Sequence, residues 1–468
     1  MENQFLVDLR TGKPLSFKQQ VMMIVQLSIP AILAQISSVV MEYIDAAMVG
    51  RMGANASASI GLVASTTWLL GSVCHAAGIG FTVQIAQLIG AGKEKEARNL
   101  VKQGLLVTLA ISIGIACLGV IASMYMPGWL GGAKEICQDA TKYLLVFSLA
   151  IPIHQMNSVA GGMLQCSGNM KFPSMMHILM CFLDVFYNLL LIFPSRTVVV
   201  LGKTILLPGA GLQVFGAALG TALAELTIMV VMLYVLLRKS VLLSLRKGET
   251  LQFQKPQLLR AWKIAAPVGV EQIIICFAYV MSTKIVAPLG SISIAAHSFS
   301  VTAESFCYMP GYGLASAGTT IIGQSIGAKR KDLTRRLGWL ITLMTILIMT
   351  VTGCMMYGLA HWMIGFLTPE PAIRALGTKV LRIEAFAEPL YGASIVVSGI
   401  LRGAGDTLIP SCINFFSMWC VRIPLSALLA GTMGLEGVWL AMCIELCVRG
   451  TLFLVRLKGK KWSSVEAV

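Results

Sequence analysis

Apolar residues run along this chain in long stretches separated by short polar and basic loops, not in the alternation of a soluble core. A helix needs about 20 apolar residues to cross a ~30 Å hydrocarbon layer. Stretches of that length recur twelve times, at residues 20–49, 56–88, 99–126, 140–165, 172–193, 212–237, 261–287, 293–325, 337–359, 374–400, 408–431 and 435–455. The pattern predicts an all-α integral membrane protein with twelve transmembrane helices. The polar first twenty residues and the length of the apolar run after Lys18 do not fit a cleavable signal, so the first span is expected to stay.

The spans form two copies of one unit, with matching positions 237 residues apart. Pro30 answers Pro267, Gln35 answers Gln272, Gly53 answers Gly290, and Gln87-Leu-Ile-Gly-Ala answers Gln324-Ser-Ile-Gly-Ala. Arg98, Pro152, Gly162, Gly168 and Pro173 answer Arg335, Pro389, Gly399, Gly405 and Pro410. The offset then shrinks by sixteen, so that Gly216 pairs with Gly437; the extra residues sit in the loop after the fifth span, where Thr197 to Leu207 predicts a small hairpin or flap. Six spans per copy is an even number, so both copies enter the membrane in the same sense. Parallel repeats of this kind hold their sites near the midplane and rock against each other. The expected lobes are residues 1–237 (N-lobe) and 264–468 (C-lobe), joined by a polar, basic cytoplasmic linker at 238–263 that carries Pro256.

Charge adds orientation. Of 36 Lys and Arg residues, 25 fall in the termini and alternate loops on one side, eight on the other and three (Lys284, Arg422, Arg449) within spans. Basic loops stay in the cytoplasm, so both termini are expected there, in a multi-pass protein of the cytoplasmic (plasma) membrane. The formal charge of +15 is confined to loops and speaks for anionic lipid, not nucleic acid. The twelve cysteines show no CxxC or Cys/His cluster and read as small core residues. His75, His154, His177, His297 and His361 lack metal spacing and read as packed or interfacial. HExxH, nucleophile-elbow and P-loop motifs are missing, which disfavours an enzyme or an ATP-driven pump.

The acids within spans carry the candidate chemistry, because a carboxylate at the centre of a bilayer costs roughly 2.5–3.5 kcal/mol or more and normally faces a wet cavity or another protein group. Asp45 and Asp184 stand where the second copy has Ser282 and Val421, so the repeat scaffold does not require them. Their depths, roughly 12–15 Å from one end at 1.5 Å per residue, let them share one cavity. There they would take up a proton or hold sodium; pairing of helices is the alternative. In the second copy, Glu388 and Arg422 lie at similar depth and read as a structural ion pair or a substrate site. Glu271 and Glu304 are further cavity candidates, as are Glu42, Glu225 and Asn157 in the first copy. Glu445 and Arg449 have the spacing of an intrahelical pair. Prolines within spans read first as shaping the lobes, and the 26 methionines are as compatible with packing as with an adaptable substrate wall.

Asp45 within Asp-Ala-Ala-Met-Val-Gly, Val-Ala-Pro-Leu-Gly at 286–290, Gly-Gln-Ser-Ile-Gly-Ala at 323–328 and Leu-Arg-Gly-Ala-Gly-Asp-Thr at 401–407 resemble the multidrug and toxic compound extrusion (MATE) family. The resemblance spans nearly the whole chain. It implies a V-shaped pair of six-helix bundles that exports amphipathic, often cationic compounds in exchange for protons or sodium. It also implies Asp45, Asp184 and Thr221 as ion-coupling residues. One departure is that the Asn expected a turn before the fifth-span Asp is Met180 here, while Asn188 lies a turn after it. The Glu and Asp that mark sodium-coupled members fall at Ile275 and Tyr391, one turn from Glu271 and near Glu388. The expectation is a monomeric antiporter for small amphipaths in contact with membrane lipids, needing no cofactor beyond H+ or Na+. A lipid-linked oligosaccharide flippase of the related branch is the alternative, disfavoured because membrane acids outnumber membrane bases here.

Overall fold

The computed structural model describes residues 3–200, 203–246 and 248–464. Lys247 among the basic loop residues, and Leu201 and Gly202 at the tip of the expected hairpin, lie outside the described residues. A short amphipathic helix, α1 (Gln4–Arg10), leads to α2 (Phe17–Gly50), whose start is closed by a capping box between Ser16 and Gln19. Then come α3 (Ala54–Gly90), α4 (Glu94–Trp129), α5 (Lys134–Cys166) and α6 (Lys171–Leu191). A hairpin of β1 (Pro194–Val200) and β2 (Lys203–Ala210) precedes α7 (Gln213–Tyr234), which ends in a π turn through Lys239. The second half holds α8 (Lys255–Val286), α9 (Ser291–Gly327), α10 (Lys331–Leu367), α11 (Pro371–Glu384), α12 (Glu388–Ala404), α13 (Leu408–Phe416) and α14 (Ile423–Lys458).

Among the described residues, nine helical segments are individually long and apolar enough to cross a membrane. The long helix α9 and the broken pair α11–α12 supply two further crossings. Gly434, at φ +60°, divides α14 and completes the twelve.

Three departures from the expected spans have local causes. The tenth span is two helices: the chain turns at residues 385–387 and restarts at α12, where Pro389, which has no N–H to give, takes a first-turn position. The eleventh passes through a π turn at Ser417–Arg422 just ahead of Pro424. The linker is shorter than 238–263, because Pro256 sits in the first turn of α8, where its missing N–H costs nothing.

That linker is tied to the first half. Asn99 Nδ2 and Gln103 Nε2 each donate to Gln252 O at 2.8 Å, and Lys102 Nζ donates to Glu249 O at 2.6 Å. Arg98 grips the Glu249 carboxylate with Nε at 3.0 Å and Nη2 at 2.7 Å. This guanidinium holds the Glu249 carboxyl below its ordinary value.

The repeat is visible in the boundaries: α3 and α9 are each 37 residues long and start 237 residues apart. Each starts after a glycine with positive φ, Gly53 at +114° and Gly290 at +94°, a conformation that a side chain would strain. The two halves meet through α2 and α3 against α8 and α9. Their closest approach is at the end of the molecule that carries the basic loops, and it is symmetric. A Cβ on Gly90 would lie 2.1 Å from Gln324 O, and one on Gly327 would lie 2.0 Å from Gln87 O. Gln87 Nε2 donates to Gly403 O at 3.2 Å, and its repeat mate Gln324 Nε2 donates to Cys166 O at 2.8 Å.

Below this seal, Leu6 and Leu9 of α1 are buried in an apolar cluster with Met23 and Ile24 of α2, Ile321 of α9, Phe453 of α14 and Trp462. Further from the basic end, contact between the halves includes large rings: Trp68 on Tyr279 at 5.9 Å and Tyr43 on Phe306 at 5.4 Å.

Candidate functional site

Two faces of the first half bring its polar residues together. Along α6, His177, Asp184 and Asn188 recur at seven and four residues, so they share one stripe. Along α7, Thr221 and Glu225 do the same, and Gly220 lets the helices close: a Cβ there would lie 2.2 Å from Asn188 Oδ1.

Asn188 is the junction. Its Nδ2 donates to Asp45 Oδ1 of α2 at 2.9 Å and to Asp184 Oδ2 at 3.0 Å, so one amide bridges two carboxylates. Asp184 and Asn188 are fully buried, and Asp45 is half-buried. Thr221 lies beside Asp184 while its hydroxyl donates back to Ala217 O at 3.3 Å. Asn157 of α5 reaches Met180 Sδ at 3.7 Å, so the thioether that replaces the expected amide still joins this wall. Glu42, one turn before Asp45, is exposed and stands outside the hydrogen-bonded set.

Asp184 Oδ1, Asn188 Oδ1 and Asn157 Oδ1 are buried with no partner among the described residues. Buried oxygens of this kind normally have a donor or a cation. Oxygen donors suit a proton carrier or a hard monovalent cation alike, so the residues fit sodium as well as hydrogen ions.

The second-half candidates separate. Glu271 of α8 is buried and saturated: it accepts from Arg402 Nη2 at 3.0 Å, Ser411 Oγ at 2.7 Å and Asn414 Nδ2 at 2.6 Å. This is a three-armed clamp between α8, α12 and α13. The expected Glu388–Arg422 ion pair is not formed. Arg422 turns its Nη2 to Met442 Sδ at 2.7 Å and its guanidinium to the Tyr279 ring at 5.8 Å.

Glu388 opens α12 on the far side of the helix break from Glu384, and all four of their carboxylate oxygens are buried without a partner among the described residues. Buried Glu304 of α9 lies near both. Isolated buried charges are costly, and Arg422 is the cation that lies toward Glu304 and Glu384. Among the described residues no three His, Cys, Asp or Glu side chains come close enough together to hold a metal ion. The Glu445–Arg449 pair forms as expected, with Nε on Oε1 at 2.7 Å and Nη2 on Oε2 at 2.8 Å.

One contact had no signal in local spacing. His154 Nδ1 of α5 meets Glu225 Oε1 of α7 at 2.8 Å, across 71 residues. Repeat asymmetry was the available clue, since the second copy holds Tyr391 and Leu446 at these positions.

The comparisons with known proteins agree with this architecture. The MatE family model matches twice, at residues 30–190 and 267–428, one match in each half. A probable multidrug resistance protein NorM of Thermotoga maritima is 26% identical over 446 residues, covering 94% of this chain and 92% of its own length. A multidrug resistance MATE family transporter solved in an outward-facing conformation superposes with a TM-score of 0.87 at 18% identity, covering 98% of this chain and 99% of its own. The Vibrio cholerae MATE transporter VcmN superposes with a TM-score of 0.85 at 17% identity, covering 97% and 98%. With both halves matched by one family model and the two-lobed helical fold shared along the whole length, the chain belongs to the MatE family of membrane transporters.

Proposed function

We propose that this transporter is a secondary multidrug exporter that moves small amphipathic, cationic compounds out of the cell in exchange for an ion bound at Asp45, Asp184, Asn188 and Thr221. The observation that carries the reading is the single Asn188 amide bridging Asp45 and Asp184, two acids whose repeat mates are Ser282 and Val421. A pair of carboxylates held this way binds a proton or sodium in one state and an organic cation in another. The names of the relatives, multidrug resistance proteins, support the substrate class.

The excess of Lys and Arg in the loops at one end supports a cytoplasmic position for both termini, and the symmetric glycine and glutamine seal at that end supports access from the outside in this state. Glu304, Glu384 and Glu388 form a second acidic pocket for the cationic part of a substrate or a further ion. The protein works as a monomer in the plasma membrane and uses no cofactor beyond the coupling ion.

Efflux of a fluorescent cationic dye from proteoliposomes tests this, with proton and sodium gradients imposed separately on wild type and Asp45→Asn. Proton-driven efflux in wild type and none in the variant is the expected result. Sodium-driven efflux reassigns the ion, and full efflux in a normally expressed Asp45→Asn removes the first-half site. Absence of gradient-driven dye movement in wild type favours a flippase.

A further inference from the structure

The His154–Glu225 contact lies outside the Asp45–Asp184–Asn188 cluster and has a different chemistry. His154 is twelve residues from the basic end of α5, near the middle of the bilayer, yet its side chain is 41% exposed while protein surrounds it. Its neighbours come from α3, α6 and α7, so it faces inward between these helices, with Nδ1 on Glu225 and no hydrogen bond to Nε2 among the described residues. Glu225 is mostly covered.

Charged and titratable groups of α3, α6 and α12 lie around this pair. His75 of α3, whose Nδ1 is 3.0 Å from Ser158 Oγ, lies on one side with Arg402 of α12 beyond it. His177 of α6 approaches Glu225 and His154 on the other, and Asp184 lies toward the far end. One turn of α7, about 6 Å, separates Glu225 from Thr221, which borders Asp184. The polar groups thus follow one another from mid-membrane toward the bridged aspartates.

We propose that His154 and Glu225 form a second proton-binding site, a station through which protons pass between the cleft and the Asp45–Asp184–Asn188 cluster. A proton from the cleft adds to His154 Nε2, and the proton on Nδ1 moves to Glu225 Oε1. The charge taken up at the imidazole edge is thereby delivered one helical turn from Thr221, with no bond made or broken except N–H and O–H. Tyr391 and Leu446 at the matching places cannot do this near neutral pH, so the second half lacks the station. The role as a station rests on the proton-coupled reading; the proton site itself does not.

The test is 15N-histidine NMR titration of the full chain in detergent, with five imidazoles to resolve, alongside the pH profile of dye efflux in proteoliposomes. Glu225→Gln removes the charge that favours the imidazolium. One imidazole is expected to lose its proton at least about one pH unit lower than in wild type, and the efflux midpoint to move in the same direction. Glu225→Asp, which withdraws the carboxylate by one methylene, takes its place if the amide variant does not fold. Unchanged imidazole titrations overturn the site. A shifted imidazole with an unmoved efflux midpoint, or with efflux driven by sodium alone, overturns the station, and only the second of these outcomes also overturns proton coupling.

Discussion

The two halves share a backbone plan and differ in what it carries. The first half has Asp45, His75, His154 and Asp184 where the second has Ser282, Tyr312, Tyr391 and Val421. In the second half the rings pack on one another, Tyr308 lying 5.9 Å from Tyr312 and 5.6 Å from Tyr391. The first half thus turns matched positions into a titratable column, and the second turns them into an aromatic wall. Acids differ likewise. Asp45 and Asp184 are bridged by an amide, whereas Glu384 and Glu388 sit unpartnered at a helix break that has no counterpart in α5. A shared scaffold therefore fixes where helices approach, while each half sets its own chemistry on it.

The largest effect expected from this contrast is on transport. Asp45→Asn should reduce ion-driven efflux to the protein-free background, while Ser282→Ala at the matching position should leave it intact, both read at equal expression. Comparable losses in both variants would make the halves equivalent after all.

The symmetric seal should respond symmetrically. Gly90→Ala and Gly327→Ala each drive a Cβ against a backbone carbonyl, at 2.1 and 2.0 Å, so each should open the basic end. Thiol labelling of a cysteine placed in the cleft, from the basic side, should rise to a similar degree in both.

Stability should separate two second-half acids. Glu271→Gln weakens the clamp and leaves the part-buried Arg402 without its charge partner, a loss below the about 3–5 kcal/mol of a fully buried pair but well above zero. Glu388→Gln touches no formed hydrogen bond or ion pair and should shift the apparent melting temperature little. Equal shifts would show that Glu388 has a partner under these conditions.

The smallest effect is at the linker. Because Arg98 lowers the Glu249 carboxyl, the contribution of this pair is fully present above the ordinary carboxylate range and lost as pH falls through the lowered value. Glu249→Gln should therefore destabilise modestly at pH 7 and make no difference in strong acid, as read by thermal unfolding at both pH values.

Much of the fold was legible in the chain itself. Twelve apolar stretches, the 237-residue repeat and the fifth-to-sixth hairpin were all visible because bilayer thickness and helical rise convert composition directly into spans. Asp45 and Asp184 could be named from repeat asymmetry, and Asn188 from its place one turn after Asp184, where the family resemblance expects an Asn one turn before. The failure of the Glu388–Arg422 pair was not legible. Equal depth along two helices says nothing of rotation about their axes, and the helix break and π turn reset both rotations.

The sequence by itself thus determined the class, the number of crossings, the two-fold plan and which acids lack a scaffold reason to exist, since each depends on local hydrophobicity or on comparison along one strand of text. Only the tertiary structure decided which side chains meet: one amide between two aspartates, His154 against Glu225, a saturated Glu271 beside unpartnered Glu384 and Glu388. Those contacts join residues on different helices, and their existence depends on helix rotation and on glycines that let backbones touch.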